Sequence, residues 1–306
     1  MTYPEARFSV KVDVTNPGQF FACCGLLELA HRLWPGVEGW FDTARSVFAI
    51  STNDSLATLG HLMDSLSKCD ISGLNEGERR ERDALETERR QMKQQKKQLS
   101  SEKEARRTEL GALAREGVIR LGAPFAHLLN WWQTGDDDTA TPKTWAGRQE
   151  LHKVARAAQD ALADVSNLTE LFDHGSVLRT SQEYRKADSA LQKRVEPFYF
   201  DARRFAHALD TGFSLDVQEE ETLAHPAVEL LALIGLQRFR PGVAQHRWTF
   251  EYAAWSMPLS APTASAVSCC AIPIGRRYRF RLLFRDDQKR YKAFDFATLV
   301  GDKYEQ

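Results

Sequence analysis

No apolar run in this 306-residue sequence is long enough to cross a bilayer. The longest, Phe20 to Leu27, stops at Glu28, whereas a spanning helix needs roughly 20 such residues. The opening MTYPEARFSVKVD carries acids and bases where a secretory leader would need an apolar core, so a cytoplasmic protein without a membrane partner is expected. Cysteine is scarce: five residues, as the adjacent pairs Cys23-Cys24 and Cys269-Cys270 and the single Cys69. Neighbours in sequence cannot both point at one metal, and no CxxC or HxxxH accompanies them, so reduced thiols are expected rather than a zinc site or a disulfide framework. Charge of one sign is also lacking. The formal net charge is −1, which excludes a globally basic nucleic-acid coat and leaves only locally concentrated charge to hold a polyanion.

The signatures of chemistry are missing as well. There is no GxxxxGK followed by Ser or Thr, no GxGxxG, no HExxH, no GxSxG and no HxE…PCxxC. The histidines His31, His61, His127, His152, His174, His207, His225 and His246 are scattered, and each reads as a satisfied core or surface residue. Asp136, Asp137 and Asp138 are consecutive and diverge in a loop, whereas a two-metal nuclease draws its ligands from separated positions. No catalytic residue, metal ligand or cofactor is therefore assigned.

What is present is ordinary globular material, 42% apolar and 27% charged, ample for a core. Residues 7–14, RFSVKVDV, alternate as a half-buried strand. Asn16 and Pro17 start a helix running to Trp34, ended by Pro35-Gly36. Short strands follow at Trp40-Phe41 and 46–50, and a second amphipathic helix covers 54–67. Beyond residue 118 the pattern gives strand-like segments within 119–132, a helix over 149–172 and a buried strand at Phe198-Tyr199-Phe200. It continues with a buried helix over 224–239 and strands at 247–255, 272–283 and 291–297. The expected class is α+β: a mixed or antiparallel sheet body with packed helices.

Between these parts the composition changes abruptly. Residues 76–116 contain no proline, no aromatic and almost no large apolar side chain; Leu85, Met92 and Leu99 form a thin stripe seven apart. A protruding charged helix, or a helical hairpin broken near Ser100-Ser101, is expected. The chain thus divides into 1–75, a charged arm at 76–117, and 118–306. The arm's charge is polarised, with six acids and three bases in 76–88 but eight bases and two acids in 89–107. The basic half, with Lys96 and Lys97, suits a phosphate backbone or an acidic partner; ion pairing along a solvated helix is the alternative.

A second concentration of charge is RRYRFRL at 276–282. Period-two alternation puts Arg277, Arg279 and Arg281 on one face and Tyr278, Phe280 and Leu282 on the other. Successive guanidinium groups then stand at about 7 Å, suited to phosphates or guanine edges; Arg276 lies beside them. The alternative is an exposed strand whose charges discourage edge pairing. Trp131, Trp132 and Trp145 read as core or subunit-interface aromatics rather than base-stacking platforms.

The segment Val12 to Trp34, VDVTNPGQFFACCGLLELAHRLW, resembles the start of the large-subunit family of type I-G (formerly I-U) CRISPR effector complexes. PFYFDARRFAHALDTGFSLD at 197–216, HPAVELLALIGLQRFRP at 225–241 and the WSMPL stretch ending at Leu259 are similar too. Related large subunits often end in a helical bundle, whereas this chain reads as ending in strands. The resemblance implies a Cascade-like ribonucleoprotein of antiviral defence, guided by crRNA. Its large subunit is non-catalytic, helps read the protospacer-adjacent motif (PAM) in target double-stranded DNA, and stabilises the opened strands. The implied partners are crRNA, target DNA, the backbone and crRNA-processing subunits, and a separate helicase-nuclease that docks and cuts. It also makes the turn at Asn16, Pro17, Gly18, Gln19 and Phe20 either a contact to crRNA, duplex or a neighbour, or a capped helix start. Arg203 and Arg204, inside the second matched segment, become candidate backbone contacts. Two other functions compete: an architectural subunit without DNA contact, and a metal-dependent nuclease using dispersed acids such as Asp201, Asp210 and Asp216.

Overall fold

The computed structural model describes residues 4–133, 139–146, 150–165, 167–180, 194–203, 223–285, 288 and 290–301. The α+β class holds, with every strand pair antiparallel. Strands β1 (Phe8–Lys11), β2 (Glu38–Asp42), β3 (Val47–Ser51) and β9 (Leu259–Ser260) form a sheet in the order β1-β3-β2-β9. A second sheet runs β11 (Lys292–Phe294), β10 (Arg276–Phe284), β8 (Thr249–Ala254) and β7 (Gly242–Val243), with β12 (Thr298–Leu299) also on β10. A small third sheet contains β4 (Ile71–Ser72), β5 (Ile119–Leu121) and β6 (His127–Leu129).

Helix α1 (Pro17–Leu33) is apolar all round because it is buried all round. Against it lies α6 (Pro226–Arg238), equally buried. They meet backbone to backbone: a Cβ on Gly25 would stand 2.1 Å from the Leu231 carbonyl oxygen, and one on Gly235 2.1 Å from that of Phe21. The one acid within the buried stretch of α1, Glu28, is fully buried and ion-paired to Arg32 one turn on and to Arg238 of α6. Burial raises the Glu28 carboxyl, but the two guanidinium groups outweigh that and hold it below its usual range. Phe20 joins the two larger sheets, stacked on Phe41 at 5.1 Å and on Tyr252 at 4.2 Å. Tyr252 then donates to the Val14 carbonyl, and Trp255 Nε1 to that of Gly39, both at 2.7 Å.

Helices α2 (Leu59–Lys68) and α5 (Leu151–Ala161) are amphipathic and flank this core. A short helix α7 (Ala261–Ser268), rich in small residues, occupies a stretch for which the sequence pattern gives no element. Phe198-Tyr199-Phe200, expected as a strand, is irregular backbone with Tyr199 at φ 63°. The amides of Phe200 and Asp201 turn to the buried Glu229 carboxylate of α6 instead of to a neighbouring strand. Between β4 and β5 the chain leaves as α3 (Glu76–Gln94) and returns as α4 (Ser101–Glu116): the arm is a helical hairpin. Asn75 caps α3 reciprocally with Glu78, and Ser100 caps α4. Among the described residues no helix is long and apolar enough to cross a membrane.

Candidate nucleic-acid interface

Strand β10 has the alternation its sequence dictates: Tyr278, Phe280 and Leu282 are buried, with Arg277, Arg279 and Arg281 opposite. It is an interior strand, paired with β8 on one side and β11 and β12 on the other, so discouraging edge pairing is not the function of its arginines. Arg277 and Arg281 remain exposed, but all three are ion-paired. Glu251 of β8 stands directly across from Arg279 and accepts from its Nε at 2.8 Å while also pairing with Arg277. Burial raises the Glu251 carboxyl, but the two guanidinium groups outweigh it and keep it ionised below the usual range. Arg281 pairs with Asp295 at 3.3 Å. The expected row of guanidiniums is present, and each of Arg277, Arg279 and Arg281 is paired with a carboxylate, Glu251 of β8 or Asp295 just after β11. Arg276, exposed, is the member of the run without an ion pair to any described residue.

Asn16 and Gln19, the candidate contacts of the turn, are both buried inside the fold. The Asn16 side chain caps α1 through the amides of Gly18 and Gln19, accepts from Ala202, and donates to Asp201 at 2.8 Å. Gln19 accepts from the Asp13 amide at 2.7 Å. The loop and the helix thus consume the turn's polar groups. Arg203 is spent in the same neighbourhood, on Asp201, on Asp173 at 2.8 Å and on the Phe172 carbonyl. Its partner Asp201 is buried and also meets His225 Nδ1 at 3.1 Å. Arg204, Asp210, Asp216 and Asp136 to Asp138 lie outside the described residues. No group of three or more His, Cys, Asp or Glu placed to hold a metal occurs among the described ones. Trp131, Trp132 and Trp145 are buried and meet edge to face at 5.5–5.6 Å, as core rings rather than stacking platforms.

The arm is different. Its acid-rich first half faces the returning helix, so charges distant in sequence pair across it: Lys103 with Glu88 at 2.6 Å, Arg106 with Glu81 at 2.8 Å and Arg107 with Glu86 at 3.0 Å. Leu85 of α3 and Leu110 and Ala114 of α4 are its buried residues. These pairings consume the acids and end before the tip. Residues 89–101 hold Arg89, Arg90, Lys93, Lys96 and Lys97 and no acid. All five side chains are exposed, and only Arg89 reaches a described carboxylate, Glu86 at 4.0 Å. Lys96 sits at φ 56° in the bend that turns the chain back, its amide bonded to the Lys93 carbonyl and that of Lys97 to Met92.

Compared with protein-family models, curated proteins and solved structures, the chain matches none. The site is thus defined by its own geometry. Of the sequence-predicted positions, Lys96 and Lys97 stand together on one exposed basic tip, Arg276 is exposed elsewhere on β10, and the remainder that can be described are engaged within the body. Arg89, Arg90 and Lys93 complete the tip. Their signal was available as an acid-free interval within a charge-dense segment, once the hairpin shows which acids are used internally. Five exposed cations at one end of a helical hairpin form a local concentration of positive charge, of the kind that attracts polyanions without directional readout of base edges.

Proposed function

We propose that this chain is a non-catalytic nucleic-acid-binding subunit of a crRNA-guided DNA-targeting complex. In that role it helps recognise the PAM duplex and hold the opened strands, while a separate helicase-nuclease docks and cuts. The observation that carries the nucleic-acid part is the acid-free interval 89–101 at the tip of the α3–α4 hairpin, where Arg90, Lys93, Lys96 and Lys97 make no ion pair with a described residue and Arg89 only a long one to Glu86. The assignment to a CRISPR complex rests on the resemblance of 12–34, 197–216 and 225–241 to the type I-G large-subunit family. A chain of net charge −1 with a local basic tip suits a subunit whose grip on DNA an assembly strengthens by holding it in place.

The test replaces Arg89, Arg90, Lys93, Lys96 and Lys97 with glutamine in the assembled complex. Affinity for target duplex falls, and the slope of log affinity against log salt becomes shallower by up to about 4.5, since each phosphate contact contributes about 0.9. Unchanged affinity and slope remove the tip from the interface. The internal neutralisation of Arg277 and Arg279 favours one other reading, an architectural subunit without DNA contact. In that case the five-fold variant leaves DNA binding untouched, while deletion of the arm dissociates the complex.

A further inference from the structure

At the root of the arm the structure has a second feature that the tip does not use. A pocket of about 410 Å³ opens on the third sheet, at the lower end of the size range of ligand pockets. Its floor is a row of cross-strand neighbours, Ser72 opposite Arg120 and Arg120 opposite Leu128. The start of α3 forms a wall with Asn75 and Glu76. Arg120 is half-buried, its Nε is shielded from solvent without a hydrogen-bond partner, and it makes no ion pair with a described residue. The acids that line the pocket do not supply one. Asp70 is held by Arg156 at 2.5 Å and by Arg79 at 3.9 Å, and Glu76 by Arg80. Arg120 is the one arginine of the lining, and Arg79, Arg80 and Arg156 stand outside it and offset the two carboxylates. A half-buried arginine with an unmade bond at Nε, beside acids already paired to other guanidiniums, favours an incoming oxyanion.

The remaining wall is apolar. Leu74 and Leu121 are buried beneath, and Leu128 exposes 40% of its surface at the mouth. The ligand that satisfies both features joins an oxyanion to a flat, weakly polar body. Position selects the class: α3 has 19 residues, about 28 Å at 1.5 Å per residue, so a strand held at the tip reaches the root within a few nucleotides. We propose that this pocket takes one unpaired nucleotide of a single strand, with its phosphate on Arg120 and its base against Leu128. The proposal extends the nucleic-acid reading of the arm and depends on it for the choice of ligand.

The test uses the full chain with a 5′-fluorescein oligothymidylate, with thymidine monophosphate and inorganic phosphate as competitors. Arg120→Gln weakens the oligonucleotide about tenfold, the scale of one charge-assisted bond. Arg120→Lys, which keeps the charge but not the fork, falls between them. Leu128→Glu, at a surface position that tolerates a polar group, weakens it comparably, and thermal melts check that each variant is folded. Thymidine monophosphate competes where inorganic phosphate does not, and continues to bind the five-fold tip variant. Wild-type affinity in folded Arg120→Gln overturns the pocket while leaving the tip intact. Equal competition by inorganic phosphate overturns the nucleotide assignment. Normal binding by the tip variant together with weakened binding by Arg120→Gln overturns the tip reading instead and retains the pocket.

Discussion

Asp201 and Glu229 meet at one backbone segment, yet the fold drives their carboxyls in opposite directions. Both are desolvated. Burial raises the Asp201 carboxyl, but His225 and Arg203 bonded to it overcome that and hold it well below the carboxylate range. Glu229 receives only backbone amides, so burial, aided by the nearby Asp201 charge, pushes it up to about 8. The signs follow by linkage. Between its ordinary value of about 4.5 and 8, folded Glu229 keeps a proton that the unfolded chain releases. Its contribution is therefore complete at low pH and declines as pH rises through that window, by at most about 1.4 kcal/mol per unit. Urea midpoints at pH 5 and pH 8 should show a larger loss for the wild type than for Glu229→Gln; parallel losses would sink the assignment. Asp201 acts in the other direction, stabilising above its usual value and failing as pH falls below it. Asp201→Asn removes the buried charge that Arg203 and His225 meet, leaves Arg203 its pair with Asp173, and should cost about 3 kcal/mol. At this scale the sequence disclosed Asn16 as a cap, because Asn-Pro-Gly is a local signal. It did not disclose the partner Asp201, 185 residues away, since nothing local encodes that distance.

Elements show the same division. Helices α1 and α6, the hairpin break near Ser100 and the buried face of β10 are legible because periodicity, caps and composition are properties of contiguous residues. Pairing is not, and pairing decides what the arginines of β10 do: only the register with β8 places Glu251 across from Arg279. The irregular course of Phe198 to Phe200 follows from Glu229 on another element, so an apolar triplet alone points wrongly to a strand. The close approach of two helices is also an element property. At the α1–α6 crossing, Gly25→Ala and Gly235→Ala each drive a methyl against a carbonyl oxygen at 2.1 Å. Neither helix backbone yields cheaply, so each change should cost about 3 kcal/mol or more. Gly301→Ala, with nothing within 4 Å of the added atom, is the matched control. Chemical denaturation of the three variants distinguishes a packed crossing from a loose one: if Gly25→Ala and Gly301→Ala unfold at the same midpoint, the helices do not touch as described.

For the molecule as a whole, the arm can be separated from the body by an argument about topology. Ser72 and Arg120 are hydrogen-bonding neighbours on β4 and β5, so the excursion through α3 and α4 begins and ends at adjacent strands. A tight Asn-Gly turn can join strands in that arrangement. Replacing 74–118 with such a turn removes the buried Leu74, Leu85, Leu110 and Ala114, and frees His152 Nδ1 from the Ala114 carbonyl at 3.2 Å. It leaves untouched the α1–α6 crossing, the Phe20 stack and both larger sheets. The shortened chain should therefore fold with a Tm lowered by less than about 10 °C, at roughly 2–4 °C per kcal/mol for a chain of this size. Its affinity for short single-stranded DNA at low salt should fall to that of the five-fold tip variant or below, because the tip goes and the pocket loses its α3 wall. Melting and anisotropy on the same preparation read both quantities. A shortened chain that folds and still binds with full affinity would move the polyanion site onto the body, with exposed Arg276 as the first position to substitute there.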